Sequence, residues 1–152
     1  MEGRSSAPPR GQRMEATKVL VIDQYPQHVD TLVHTLKMYN CHPRGTDDII
    51  EGLSIYTAWS PHLVIIEAGH PDMPAWEFAF EARMRQTAHR PYLVALADKG
   101  GRRERALCQE CGFDRFETKP IYASDLRKWV TDAEQSIKEQ GPREAPGESW
   151  DW

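Results

Sequence analysis

Two carboxylates in this chain stand where short apolar runs end. Lys18-Val-Leu-Val-Ile-Asp23 closes on Asp23, and His62-Leu-Val-Ile-Ile-Glu67 closes on Glu67. Acids gathered at one place can hold a cation or pair with a lysine, and Lys119, in Phe116-Glu-Thr-Lys-Pro120, could pair with Glu67 or Asp23. Other reactive side chains converge less. Cys108-Gln-Glu-Cys111 is a lone CxxC in the last turn of a charged helical stretch, the end of the dipole that disfavours a thiolate. With no second cysteine pair to complete a zinc site, it reads as packing. The six histidines are scattered without a ligand spacing; His70, three residues after Glu67, reads as a gate on a nearby crevice or as an exposed side chain. The cluster Lys99-Gly-Gly-Arg-Arg-Glu-Arg105 lacks the interleaved aromatics of a nucleic-acid surface, which leaves a solvated loop or a contact for an acidic partner.

The elements that must position these groups follow from hydrophobic period. Tyr92-Leu-Val-Ala-Leu-Ala97 joins the two runs above as a third segment short and apolar enough for a strand buried on both faces. Cys41 to Thr46 and Asp114 to Glu117 are weaker strand candidates, and Pro43 and Gly45 confine the first to an edge. Helical spacing separates the strands: Gln27 to Tyr39, Asp48 to Trp59, Ala75 to Ala88, Arg102 to Cys111 with Gly112 as its cap, and Ser124 to Lys138. Trp59 and Trp76 read as core or half-buried packing residues, and Trp129 lies on the apolar stripe of the last helix. A strand–helix unit repeated five times predicts a doubly wound parallel sheet with helices on both faces. The functional crevice of such a sheet lies beyond the C-terminal ends of the strands, where Asp23, Glu67, Ala97 and Lys119 fall.

At 152 residues the chain has room for one domain with a real core. We divide it into a tail over 1–16, a folded domain over 17–138, and a second tail over 139–152. A net charge of -4 gives no general reason to bind nucleic acid. The first residues lack the apolar stretch of a secretory signal, no run is long enough to span a bilayer, and three sparse cysteines do not form a disulfide framework, so a cytoplasmic setting is expected.

Four motifs, in order and spacing, carry a family resemblance. VLVIDQYP resembles the first strand of a CheY-like receiver, PHLVIIEAGHPDMPAWEF the stretch around the third strand, YLVALAD the fourth strand, and FETKP the aromatic and Lys-Pro signature near the end. The likeness spans about residues 17–138. It implies a flavodoxin-like three-layer sandwich with strand order 2-1-3-4-5. It also implies a pocket in which an aspartate ending the third strand accepts a phosphoryl group. Mg²⁺ held by an acid pair and a lysine neutralise the charge, and a Thr or Ser hydroxyl then reads the new group.

This chain departs from that pattern at three of five positions. Asp23 keeps the first acid, but Gln24 replaces the second and offers a cation only a neutral oxygen. Glu67 stands where the phosphoacceptor aspartate belongs; its extra methylene moves the carboxylate by roughly 1 Å or more, enough to cost about a hundredfold in rate. Ala97 stands where the reading hydroxyl belongs and has no side-chain donor. Lys119 survives, and Phe116 occupies the aromatic switch position. The resemblance thus implies a degenerate pocket of Asp23, Gln24, Glu67, Ala97 and Lys119. Mg²⁺ would be weak and not required, with Asp23, Glu67 and Gly69 as its ligands.

The expected function is that of an atypical single-domain response regulator, not an enzyme. It would act in bacterial two-component-type signalling as a phosphorylation-independent interaction module. Two alternatives stand beside it: a degenerate receiver that binds a small ligand in the vacated crevice, and a conventional phosphoacceptor that uses Glu67. No output domain is legible, so a signalling protein is the expected partner: a histidine kinase, another regulator or an output protein. No nucleic acid or membrane is expected. A homodimer through the fourth helix, fifth strand and fifth helix is also compatible with the resemblance. Candidate contacts are Lys99, Arg102 and Arg103 beside that face, and Trp150 and Trp152, two potential anchors among acids in the second tail.

Overall fold

The computed structural model describes residues 15–141. The strands are β1 Lys18–Ile22, β2 His42–Thr46, β3 Leu63–Glu67, β4 Tyr92–Ala97 and β5 Arg115–Thr118. The helices are α1 Pro26–Met38, α2 Ile49–Trp59, α3 Ala75–Arg83, α4 Arg102–Glu110 and α5 Ala123–Gln140. All strand pairs are parallel and the sheet order is β2-β1-β3-β4-β5, the doubly wound arrangement that the alternation and the resemblance predict.

The period of two along each strand divides the core. Leu20, Ile22, Val64, Ile66, Leu93 and Ala95 face α2, α3 and α4, where Tyr56 and Phe78 meet edge to face. Val19, Val21, Leu63, Ile65, Val94 and Leu96 face α1 and α5 and pack with Leu36 and Trp129, which is buried as its place on the helical stripe predicts. Trp59 and Trp76 are half-buried against the first of these clusters.

β2 is an edge strand, and its composition shows how. The N–H of His42 donates to the Thr17 carbonyl (2.8 Å), so the backbone nitrogen of Pro43 faces the open edge, where a missing N–H costs nothing. A Cβ on Gly45 would come within 2.3 Å of Val29 Cγ1, so the close approach of α1 to this strand requires glycine.

Helix ends depart from the sequence reading where side chains intervene. Asp48 caps α2, its Oδ1 accepting from the N–H groups of Ile50 (2.9 Å) and Glu51 (3.1 Å). Gly112, at φ 112°, turns the chain out of α4, and the Phe113 N–H closes the turn on the Cys108 carbonyl (3.0 Å). The largest correction is α3, which ends at Arg83 rather than Ala88. The Arg83 guanidinium donates to the carbonyls of Gly112 and Pro91 and to Asp114, while the Ala88 N–H donates to Ser60 Oγ (2.9 Å). These bonds draw 84–91 into the connection that starts β4. At the other extreme α5 continues to Gln140, two residues into the stretch assigned to the second tail.

Candidate functional site

Asp23, directly after β1, and Glu67, at the end of β3, are both buried at the C-terminal end of the sheet. Ala97 ends β4 and its carbonyl accepts the N–H of Lys119 (2.8 Å), which follows β5. The strand order therefore brings the five pocket positions to one end of the sheet.

Their pairing was not legible in advance. Gln24 turns its amide on Glu67: its backbone N–H donates to Oε1 (3.0 Å), and its side-chain Nε2 donates to Oε2 (2.9 Å) and to the Gly69 carbonyl (3.4 Å). Both facing oxygens are acceptors, so the NH₂ end must point at them. The neutral oxygen expected to face a cation is turned elsewhere. Hydrogen bonds to an ionised acceptor contribute about 1.5–3 kcal/mol each, so this clasp holds the Glu67 carboxylate firmly.

Asp23 and Lys119 form a second group. Asp23 Oδ1 accepts the Tyr25 N–H (2.9 Å), and Oδ2 lies 3.5 Å from His28 Nδ1 and 3.8 Å from Lys119 Nζ. Lys119 also stands 3.6 Å from Asp98 Oδ1. Of the two partners expected for Lys119, the structure selects Asp23 and adds Asp98. His28 and Asp98 were not singled out in the sequence, although Asp98 directly follows Ala97.

The residues do not fit a divalent cation as arranged. Gln24 Nε2 occupies the position between Glu67 and Gly69, two of the three proposed ligands, and presents donors where a metal needs oxygens. Among the described residues no group of three His, Cys, Asp or Glu side chains could hold a metal ion.

The crevice is divided. On one side a groove of ≈ 360 Å³ runs between α1 and the start of α5, with Thr31, Leu32, Leu96, Pro120 and Ile121 as walls and Asp23, His28 and Lys119 at its polar end. On the other, Glu67, Asp98, Lys99 and Glu104 line a separate hollow of ≈ 340 Å³.

The aromatic that the resemblance expects at a switch position is turned inward. Phe116 is buried, and the Arg105 guanidinium lies 4.8 Å from its ring centroid while donating to its backbone carbonyl (3.0 Å). Arg105 belongs to the basic cluster, so one of its members covers the core; Lys99, Arg102 and Arg103 are exposed around the start of α4. Trp150 and Trp152 lie outside the described residues.

His70 is neither a gate nor an exposed side chain. It is buried, accepts the Asp72 N–H on Nδ1 (3.2 Å), and therefore carries its proton on Nε2, which donates to the Asp47 carbonyl (2.9 Å). It braces the loop after β3 against the loop after β2. Burial pushes the Cys108 thiol up to about 12, with Glu104 and Cys111 adding to the shift, which agrees with the packing role read for the CxxC.

No protein-family model and no curated protein matches the chain. Solved structures do. It is similar to a CheY-like receiver domain protein from Methanospirillum hungatei (TM-score 0.77, 16% identity, covering 84% of this chain and 100% of that one). A receiver domain from Clostridium thermocellum aligns with TM-score 0.75 and 21% identity over 82% of this chain and 98% of the other. The chemotaxis regulator CheY4 of Vibrio cholerae aligns with TM-score 0.72 and 19% identity over 78% and 99%. At these identities the likeness establishes the fold: this chain has the architecture of a response-regulator receiver domain. No described helix is long and apolar enough to cross a membrane.

Proposed function

We propose that the chain is an atypical single-domain response regulator, a phosphorylation-independent protein-interaction module in bacterial two-component-type signalling. The observation that supports this most is the Gln24–Glu67 clasp. A carboxylate that attacks a phosphoryl donor needs a cation beside it to gather the donor's oxygens. Both Glu67 oxygens accept hydrogen bonds from Gln24, whose NH₂ sits between two of the proposed cation ligands. Downstream, Ala97 has no hydroxyl to read a phosphoryl group, and Arg105 covers an already buried Phe116. In this reading the domain is not an enzyme, needs no cofactor, binds Mg²⁺ weakly at most, and works in the cytoplasm. It presents a fixed surface to a kinase, another regulator or an output protein, with Lys99, Arg102 and Arg103 in the contact. Pairing of two copies through α4, β5 and α5 is compatible with it.

The experiment is incubation of the full chain with acetyl phosphate and Mg²⁺, read by intact mass. The expected mass is unchanged. A stoichiometric phosphoryl adduct on Glu67 would overturn the proposal and favour the phosphoacceptor reading. A second reading, a small-ligand binder, is favoured by the apolar groove ending in Asp23, His28 and Lys119, whose size suits a small molecule. A ligand that copurifies with the protein and shields Ile121 and Leu32 would support it.

A further inference from the structure

The sheet has a second pole, where the strands begin, and its surface is unlike the crevice. Lys18 Nζ donates to the Trp59 carbonyl (2.8 Å) and stands 5.6 Å from the centre of the Trp59 ring. Arg44, exposed on the edge strand, lies 5.0 Å from the same ring, and His42 meets it edge on at 5.6 Å. Beside them His62 and His89 stack at 4.7 Å with their planes 4° apart. Met84, at the end of α3, is 69% exposed. The pole thus combines cations, aromatic rings and an uncovered thioether, the chemistry that receives acidic aromatic peptide.

The chain itself contains such a segment. Residues 142–152 read PREAPGESWDW, with Glu144, Glu148 and Asp151 against a single Arg143, and with Trp150 and Trp152 set among the acids. The structure shows where this segment starts. Gln140 ends α5 and is clasped to the loop before β4: its Nε2 donates to the Arg90 carbonyl (2.9 Å) and its Oε1 accepts the Arg90 N–H (2.8 Å). Arg90 directly follows His89, so the last segment departs from the side of the His62–His89 stack.

Distance favours the nearer of the two basic surfaces. The 18 residues of α5 span about 27 Å, so Lys99, Arg102 and Arg103 lie roughly that far away at the other pole. Eleven residues have a typical end-to-end distance of about 18 Å as a flexible chain. From β4, where the segment departs, β1 is two strands away, about 10 Å. The near pole is within ordinary reach, and the far cluster requires the segment to stretch to about 70% of its full extension. A tethered segment also meets its own pole at an effective concentration on the order of millimolar, which a second copy or a separate protein does not match at ordinary concentrations.

We propose that residues 142–152 dock in cis across the pole where the strands begin. Their acids meet Lys18 and Arg44, and their indoles pack on Met84 and the histidine stack. The segment then shields this pole and leaves the crevice and the Lys99–Arg103 face open.

The test is amide and indole NMR of the full chain beside a full-chain variant carrying Trp150→Ser and Trp152→Ser. The expected differences cluster at Lys18, His42, Arg44, Trp59, His62, Met84 and His89 and do not change with protein concentration. Arg44→Glu, an exposed substitution on an edge strand, should weaken docking at least severalfold and move the Trp150 and Trp152 resonances toward free-peptide values. An unchanged Trp129 indole signal reports that the fold is intact in both variants. Differences absent from this pole, located at Lys99, Arg102 and Arg103, dependent on concentration, or indifferent to Arg44→Glu would each overturn the proposal.

Discussion

At the end of the sheet where the strands finish, polar groups turn on one another: Gln24 clasps Glu67, and Lys119 stands between Asp23 and Asp98. At the end where the strands begin, Lys18, Arg44 and His42 surround the Trp59 ring, and a histidine pair stacks beside them. Sheet topology accounts for the difference. The first pole is walled by the loops after β1, β3, β4 and β5, so the carboxylates of Asp23 and Glu67 are buried there and need partners nearby. The second is formed by strand starts and helix ends that reach water, so cations there can face outward over an aromatic ring. A buried pole whose groups satisfy each other has little left to offer a reactant. An exposed pole whose cations lie over an aromatic ring is the better candidate for holding an acidic segment.

The largest expected effect tests whether both poles rest on one core. Trp129 packs under the sheet between α5 and the strands. Trp129→Ala should cost about 3–5 kcal/mol, as large-to-small aromatic changes in cores do. Denaturant unfolding followed by circular dichroism measures it, and an unchanged midpoint would show that α5 does not tie the poles together.

The next effect would convert the closed pole into an open one. Gln24→Asp removes the amide from between Glu67 and Gly69 and supplies a charged oxygen. Mg²⁺ affinity by calorimetry should rise by about tenfold or more, on the order of 1.4 kcal/mol. Equal affinities before and after the change would mean that the clasp is not what keeps the cation out.

The smallest effect concerns acid at the exposed pole. Burial, then the neighbouring His89 and Lys18, push His62 down to about 4, and its Nδ1 accepts the Lys18 N–H (2.8 Å). An unfolded chain binds a proton here at higher pH than the folded one does. The stability associated with neutral His62 is therefore complete above about pH 6.5 and is lost as pH falls toward 4. Since the ring is partly exposed, solvent screening limits the loss to on the order of 1 kcal/mol. His62→Asn keeps an acceptor for Lys18 without a titrating ring, so its urea midpoint should fall less between pH 7 and pH 4.5. Parallel falls in the two proteins would remove His62 from the acid response.

The strands, the parallel sheet and the place of Asp23, Glu67, Ala97 and Lys119 at one end of it were legible in the sequence because they rest on local composition. Val, Leu and Ile runs in β1, β3 and β4 are buried on both faces, and the acids that follow them can only lie at the sheet's end. Pro43 and Gly45 marked β2 as an edge because one lacks a donor and the other a side chain. What the pocket residues do to one another was not local. Gln24 and Glu67 are 43 positions apart, and nothing in either neighbourhood says which end of the amide faces the carboxylate. The partners of His70 include a carbonyl 23 positions away, so its burial followed from loop packing and not from its own type. The end of α3 was set by Arg83 reaching the turn at Gly112, a contact that overrode a continuing helical period. Composition and period therefore determined the layers and the place of the site. Only the folded arrangement decided which donors met which acceptors, because those bonds join segments that the chain brings together only after the sheet has formed.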